Sequence, residues 1–273
     1  MPRHPTSASA ACVWIPLFPL RCEEARRPEL VAFPHALLAP DLTRRLWQVS
    51  PLARHAGVRP GMTVSQAIGL CPTLRLCEPD PVHYDERFAH LLAALNEVSP
   101  VVEPGELGLA YVGGDGLEGI YGAPEQIVAA IQMRSAECGM RNVSVSVEQQ
   151  TTSPLNSALH IPHSALRVGW GPGKFVAWVA ATRAKPGDAV IVTSREVGSF
   201  LAAQSIAALP LDPDTHRRLR QLGIRTLGAL AALPEEAVTA QFGAVGRRLW
   251  RLAAGQIAEP VVGRVAPEPI VAA

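Results

Sequence analysis

The amino-acid sequence predicts an α+β fold followed by a small all-helical part. Up to about residue 193, segments with alternating apolar residues interleave with segments whose apolar residues recur every three or four positions. After Ser194 only short helical patterns follow, each bounded by Gly, Pro or Asp. At 273 residues the chain is long enough for two or more domains, each with its own core.

The first predicted element is a strand within residues 10–20 that enters a turn. Pro16 and Pro19 interrupt this apolar run, which is also too short to span a bilayer, so a strand is favoured over a signal peptide. Residues 29–40 then indicate a short strand or a hairpin.

Two short helices are predicted next. Residues 41–50 have a helical pattern, and Asp41 is a suitable N-cap. A second helix is expected to begin at Thr63 or Ser65 and to end at Pro72.

Helical and strand patterns alternate from residue 80 onwards. Helices are predicted at 83–100, 123–139 and 172–184. Strands are predicted at 107–112, 116–122, 142–148, 166–171 and 188–193. The polar residues 149–165 indicate a loop.

The overall composition excludes a strongly basic protein and a disulfide framework. Lys and Arg number 25 against 24 Asp and Glu, so any nucleic-acid contact has to come from a local patch. The five cysteines include no C-x-x-C pair, which favours reduced thiols in a cytoplasmic protein.

The helical part carries such a basic patch. Seven arginines and four acids lie between residues 211 and 251, an excess of three positive charges. Gly223 can turn the chain and Thr226 can cap the next helix, which makes a helix–hairpin–helix corner whose amides are suited to a phosphate. A plain helical corner is the alternative. The predicted DNA-contacting residues are Arg217, Arg218, Arg220, Gly223, Ile224, Arg225 and Thr226.

Other candidate motifs are weak. The stretch GPGKFVA at 171–177 lacks the spacing of a phosphate-binding loop. His160 and His163 have no nearby acid to complete a metal site, and Asp115 in GGDG is typical of a turn. No catalytic triad or Cys–His pair can be placed.

Four segments, taken together, resemble the Y-family (UmuC/DinB-like) translesion DNA polymerases. Residues 52–72 are similar to the family's Y-E-A-R-x-x-G-V-x-x-G-M-x-x-x-x-A-x-x-x-C-P segment, and 97–122 to its S-P-x-V-E-P-x-S-x-D-E-x-Y-L-D strand. Residues 171–192 resemble its P-N-K-x-L-A-K-x-A-S-x-x-x-K-P-x-G segment, and 222–255 its thumb. Order and spacing agree over most of the chain.

This resemblance implies a particular domain organisation. We expect a ferredoxin-like palm from residues 1–23 and 80–193, and a fingers subdomain inserted at 24–79. A helix–hairpin–helix thumb is expected at 194–258 and a linker-like tail at 259–273. The family's little finger is expected to be absent, because the chain stops about where that domain would begin.

The residues that bind metal ions in this family differ here. These polymerases hold two metal ions with carboxylates, which activate the primer hydroxyl and neutralise the triphosphate. Trp14 and Pro16 fall where the first acids should be, and Gly108 and Leu109 align with the later Asp-Glu pair. Because Mg²⁺ demands oxygen ligands, we expect no metal site and no cofactor.

The nucleotide site is also altered. Pro19 aligns with the aromatic sugar gate, and Pro51 and Leu52 replace the Tyr-Glu of the fingers. The remnants of the site are Phe18, Arg54 and Lys185. The phosphate-contacting G-V-G hairpin of the thumb is replaced by PLDPD at 210–214, which weakens the expected grip on DNA.

These departures resemble the inactive ImuB-like branch of the family. The resemblance implies a DNA-repair scaffold in translesion synthesis and induced (SOS) mutagenesis, with weak DNA binding. Its implied partners are a RecA-like protein, an error-prone polymerase and the β sliding clamp. A weakly active polymerase that recruits Glu106 or Asp115, and a relic without DNA affinity, are the alternatives.

Overall fold

Two β-sheets and a C-terminal group of helices make up this computed structural model, which describes residues 8–41, 43–140 (the backbone alone for 137–140) and 165–263. The predicted strand at 142–148, the histidines at 160 and 163, and the predicted loop up to residue 164 lie outside the described residues.

The larger sheet has five strands in the order β5-β6-β1-β7-β8. The strands are β1 (Ser9–Trp14), β5 (Val102–Pro104), β6 (Leu109–Gly113), β7 (Arg167–Pro172) and β8 (Ala189–Ile191). β1 lies at the centre and pairs antiparallel with β6 and with β7, whereas β7 and β8 are parallel. The register places Trp14, at the end of β1, between Leu109 and Arg167.

One face of this sheet is covered by helices and contains the main core. The helices are α1 (Phe18–Arg26), α4 (Pro81–Asn96) and α6 (Pro124–Met140). Ala11 and Val13 of β1 point into this core, where they join Leu95 and Ile127, all fully buried. The alternation of β1 therefore turns Cys12 and Trp14 to the opposite face.

The helix α7 (Gly173–Arg183) lies on that opposite face and connects β7 to β8. Ala10 and Cys12 of β1 pack against Ala177 and Ala181 of the helix, and all four residues are completely buried. A Cβ atom at Gly169 of β7 would overlap the backbone of α7. Small residues thus let the helix lie directly on the sheet.

The second sheet has the order β3-β2-β4 and its own core. Its strands are β2 (His35–Leu38), β3 (Leu46–Val49) and β4 (Arg75–Cys77), with helices α2 (Pro51–His55) and α3 (Val64–Leu70) alongside. Of the two predicted caps, Thr63 and Ser65, it is Thr63 that caps α3, in a reciprocal capping box with Gln66.

Two predicted elements are wrong. The helix predicted at 41–50 is replaced by β3, because pairing with β2 buries Leu46 and Val49 in the core of the second sheet. The strand predicted at 116–122 contains the short helix α5 (Glu118–Tyr121) instead.

Four helices follow Ser194 in the described residues, and they share a second core with the outer side of α7. They are α8 (Val197–Ala202), α9 (Pro213–Gln221), α10 (Leu227–Ala231) and α11 (Glu235–Ala253), which bends at Gly243. Short 3₁₀ turns lie at Pro28–Ala32 and Ile206–Ala208. Leu201, Leu219 and Leu227 are buried between the helices. Among the described residues, no helix is long and apolar enough to cross a membrane.

Two buried carboxylates of α1 connect the two sheets. Glu24 lies 3.0 Å from the imidazole of His35 in β2, and Arg21 donates to it over 2.8 Å. Glu23 accepts hydrogen bonds from Tyr84 of α4, over 2.8 Å, and from Arg27, over 2.6 Å. Both carboxylates are paired, which offsets the cost of burying charge.

The pair of Glu24 and His35 predicts a pH-dependent stability. Burial alone would lower the pKa of His35, but hydrogen bonds to Glu24 and to the carbonyl of Phe33 raise it above its ordinary 6.5. This stabilisation is complete below pH 6.5 and is lost as the pH rises through the folded-state pKa. Burial alone would raise the pKa of Glu24, but the hydrogen bonds to His35 and Arg21 lower it below its ordinary value. The stabilisation that ionised Glu24 provides is therefore lost only in acid.

We expect the free energy of unfolding to decline as the pH rises above about 6.5, because His35 then loses the proton that its hydrogen bond to Glu24 stabilises. His35→Gln should flatten this decline, as measured by urea unfolding at several pH values. His90→Gln, at an exposed histidine of α4, should leave it unchanged. An equally steep decline in His35→Gln would show that another group is responsible.

Candidate functional site

An apolar cluster occupies the end of the central strand. Trp14 and Trp178 of α7 meet edge to face, with ring centroids 5.3 Å apart and an interplanar angle of 71°. Leu109 lies directly opposite Trp14 on β6, and the Arg167 guanidinium carbon lies 5.3 Å from a Trp14 ring centroid. All four residues are half-buried. This is the position at which the sequence comparison with polymerases places the first metal-binding acid.

Gly108 is tightly enclosed. It has φ +86°, a conformation that L-residues rarely adopt, and a Cβ atom there would lie 2.7 Å from the carbonyl oxygen of Ile15 and closer still to Phe18. Its own carbonyl accepts a hydrogen bond of 2.8 Å from the amide of Ile15. A carboxylate at residue 108 therefore requires the backbone to move. Pro16 lies in the adjoining turn between β1 and α1.

These residues do not fit a divalent metal ion. Mg²⁺ binds oxygen ligands, and the cluster around Trp14 offers indole, leucine and guanidinium groups instead. Within the described ranges, no group of three or more His, Cys, Asp or Glu could hold a metal. Glu106 is exposed in the loop before β6.

An ion pair lies further along the same face of the sheet. Lys174 of α7 donates to both carboxylate oxygens of Glu103 in β5, over 2.9 and 3.0 Å. Glu103 also accepts a 2.8 Å hydrogen bond from the amide of Val262, so the C-terminal tail is fixed to this face. Burial would raise the pKa of Glu103, but the bonds from Val262 and Lys174 lower it. Burial raises the pKa of the neighbouring Tyr111 hydroxyl, which stays protonated.

Trp178 was missed by the sequence analysis. The family pattern P-N-K-x-L-A-K falls on residues 172–178, and its second lysine corresponds to Trp178. The loss of that lysine alongside the acids was a signal in the sequence. The reason for a tryptophan at this position is visible only in the structure, because Trp178 contacts Trp14, which lies 164 residues earlier in the chain.

The remnants of the nucleotide site lie on separate elements. Phe18 is buried in the main core and meets Phe88 edge to face, with centroids 5.8 Å apart. Arg54 is exposed on α2 and donates to the carbonyl of Val49 over 3.2 Å. Lys185 is exposed in the turn between α7 and β8. Their role in nucleotide binding stays a prediction.

The helical corner has the predicted shape. Gly223 has φ +81°, and Thr226 caps α10 by accepting a 3.1 Å hydrogen bond from the amide of Ala229. The amides of Gly223, Ile224 and Leu227, however, donate to carbonyls within the protein. These three amides are therefore not free to bind a phosphate.

The arginines of this corner differ in their surroundings. Arg217 pairs with Asp214 at 3.0 Å, and the guanidinium carbon of Arg218 lies 5.4 Å from the ring centroid of Phe242. Arg220 and Arg225 are exposed, whereas Ile224 is buried in the helical core. Arg220 and Arg225 are therefore the side chains best placed to meet a phosphate, and their DNA contact stays a prediction.

Comparison with known proteins identifies the family. The model of the impB/mucB/samB family matches residues 13–152. The chain belongs to this family, the Y-family of DNA polymerases. It is 31% identical over 242 residues to DNA polymerase IV of Dehalococcoides mccartyi (strain CBDB1), covering 88% of this chain and 56% of the relative. It is 29% identical over 207 residues to DNA polymerase IV of Caulobacter vibrioides, covering 75% and 46%. The chain spans about half the length of these curated relatives.

Solved Y-family structures share the fold. DinB from Sulfolobus solfataricus superposes with a TM-score of 0.74 at 21% identity, covering 93% of this chain and 69% of that one. An insertion ternary complex of Dbh DNA polymerase gives a TM-score of 0.74 at 20% identity, with the same coverage. The predicted α+β class, with a ferredoxin-like palm, inserted fingers and a helical thumb, is confirmed. The residue boundaries of these domains stay predictions.

The expectation of no cofactor needs correction. The curated relatives are DNA polymerases, and Y-family polymerases use divalent metal ions, so the prediction that a member of this family binds no Mg²⁺ is wrong. That prediction was made for the whole protein from the absence of carboxylates at a few positions. What the structure shows is narrower, namely that the Trp14 end of β1 does not provide the oxygen ligands.

The enclosure of Gly108 leads to a stability prediction. We expect Gly108→Asp to destabilise the protein by about 1–3 kcal/mol or more, because the side chain has no space beside Phe18 and Ile15. Gly116→Asp is the matched control, since Gly116 has φ +84° but nothing within 4 Å of a Cβ atom. Urea unfolding of both variants measures the difference. If both variants lose the same free energy of unfolding, the effect comes from the φ angle alone and not from the lack of space.

Proposed function

We propose that this chain is a non-catalytic Y-family DNA-repair protein of the ImuB-like branch, an accessory scaffold in translesion synthesis and induced mutagenesis. The proposal is supported by the apolar cluster of Trp14, Leu109 and Trp178, where the resemblance to polymerases aligns metal-binding acids with Trp14 and Leu109. The enclosed Gly108 supports it, because this residue, which the resemblance aligns with an acid, has no space for a side chain.

The chemistry of nucleotidyl transfer explains why this cluster matters. In two-metal catalysis, carboxylate-bound ions activate the primer hydroxyl and neutralise the charge that develops on the phosphate. Each effect lowers the barrier by several kcal/mol. Indole and leucine side chains supply neither. The proposal concerns this reaction and leaves open whether the protein binds a divalent cation elsewhere.

A weakly active polymerase is the second candidate, favoured by the name DNA polymerase IV of the relatives. It requires other acids at the site. Asp115 is unsuitable, because its carboxylate accepts a 2.9 Å hydrogen bond from the amide of Ser9, at the start of β1. Trp14 is five positions further along the strand than Ser9, a distance of about 17 Å. Glu106 is therefore the acid on which this alternative depends.

DNA binding is proposed to be weak and directed at the phosphate backbone. The exposed arginines of the helical corner, with the local excess of three positive charges, are its source. We expect an affinity of roughly 10⁻⁴–10⁻⁶ M at physiological salt, as is typical of non-specific binding. A RecA-like protein, an error-prone polymerase and the β sliding clamp are proposed partners, within the cytoplasm.

We predict no template-directed primer extension with either Mg²⁺ or Mn²⁺. The assay uses the full chain and, under identical conditions, DNA polymerase IV of Caulobacter vibrioides as positive control. Extension that EDTA abolishes would overturn the proposal. If such extension is also lost in Glu106→Gln, the second candidate function is correct.

We predict that Arg220→Glu combined with Arg225→Glu weakens binding to every DNA sequence alike, because phosphate contacts carry no base information. Fluorescence anisotropy at several salt concentrations should show a lower affinity and a salt dependence reduced by about 0.9 per lost contact. Arg44→Glu combined with Arg195→Glu, at two exposed arginines outside the corner, controls for net charge. Unchanged affinity and salt dependence in the double variant would show that the corner does not bind DNA.

A further inference from the structure

A cavity of about 410 Å³ lies between the sheet, α7 and the C-terminal helices. Tyr111 of β6 lines it from the sheet, and Phe175 and Trp178 line it from α7. Residues 207–210 and Leu252 line it from the helical part. The volume is within the range of pockets that hold small organic ligands.

The charges in this cavity are balanced. Lys174 is paired with Glu103 at 2.9 Å, and Arg248 is paired with Glu259 at 2.6 Å. Each cation is thus already neutralised by a carboxylate. A phosphate or triphosphate would meet two acids together with the two bases, so the cavity favours an uncharged ligand.

The cavity combines a flat aromatic surface with polar groups. Trp178 is held from one side by the edge-to-face contact with Trp14, which fixes the plane of its indole. Tyr111 carries a hydroxyl donor, and the ion pair of Arg248 and Glu259 adds donors and an acceptor to the cavity lining. A planar ring with hydrogen-bonding groups on its edge matches these features.

We propose that this cavity binds one unpaired nucleobase of single-stranded DNA, stacked on Trp178. A nucleobase is a neutral planar ring with donors and acceptors on its edge, and stacking on aromatic side chains accepts any base. The inference rests on the proposed DNA binding and adds a base contact to the phosphate contacts of the helical corner. The loss of the family's lysine at residue 178 becomes the gain of a stacking surface.

The test compares two single strands that carry the same number of phosphates. One is a fluorescein-labelled twelve-residue oligo-dT, and the other is a twelve-residue abasic strand. Trp178→Ala should weaken oligo-dT binding by the full chain at least about fivefold and leave the abasic strand unaffected. Trp178→Phe should retain most of the affinity, because the ring remains. Trp250→Phe, at a half-buried tryptophan of α11 outside the cavity lining, is the matched control.

A second variant tests the cavity without removing Trp178. Ala208→Phe, at a lining residue of the helical part, reduces the space in the cavity and should cause the same selective loss. Equal affinity of wild-type protein for the two strands, or equal losses on both strands in the variants, would overturn the inference while leaving phosphate binding intact. If neither strand binds, both the inference and the proposed DNA binding are overturned.

Discussion

The close packing of α7 on β1 and β7 is the constraint on which the rest of the structure depends. Ala10, Cys12, Ala177 and Ala181 fill this interface completely, and Gly169 leaves no room for even a methyl group. A helix held this closely has little freedom to shift, because a dense interface resists displacement. It therefore fixes Trp178 against Trp14, aims Lys174 at Glu103, and forms one wall of the cavity beside the C-terminal helices.

The apolar cluster is consistent with a coordinated loss of the metal ligands. Trp14 and Leu109 are cross-strand partners, so carboxylates at both positions would face each other with Cβ atoms about 5 Å apart. Two such charges are stable only with a cation between them, since they otherwise repel and lose hydration. Once one carboxylate is lost, the other binds a cation only weakly, and its burial still costs free energy. Replacing both by apolar side chains turns an ion site into a packed contact.

The sequence predicted the parts of the structure that depend on local signals. An apolar run predicted the first strand, a hydroxyl residue predicted the cap of α3, and a glycine predicted the turn at Gly223. Residues 46–49 were mistaken for helix because only pairing with β2 makes them a strand. The degenerate acid positions were visible in the sequence, but the enclosure of Gly108 and the contact between Trp14 and Trp178 required the tertiary packing of distant segments.

The buried carboxylates of α1 restrict which segment can be exchanged together with the second sheet when chimeras are made between relatives. Consider a chimera in which residues 24–79 come from one parent and the rest of the chain from the other. Glu24 and His35 would then come from the same parent. Arg27 would still have to meet Glu23 from the other parent, and Arg26 would have to reach Asp80 across the second junction, where the two now lie 2.8 Å apart. These paired charges therefore have to be exchanged together. A stable hybrid needs α1 and the start of α4 from the same parent as the fingers.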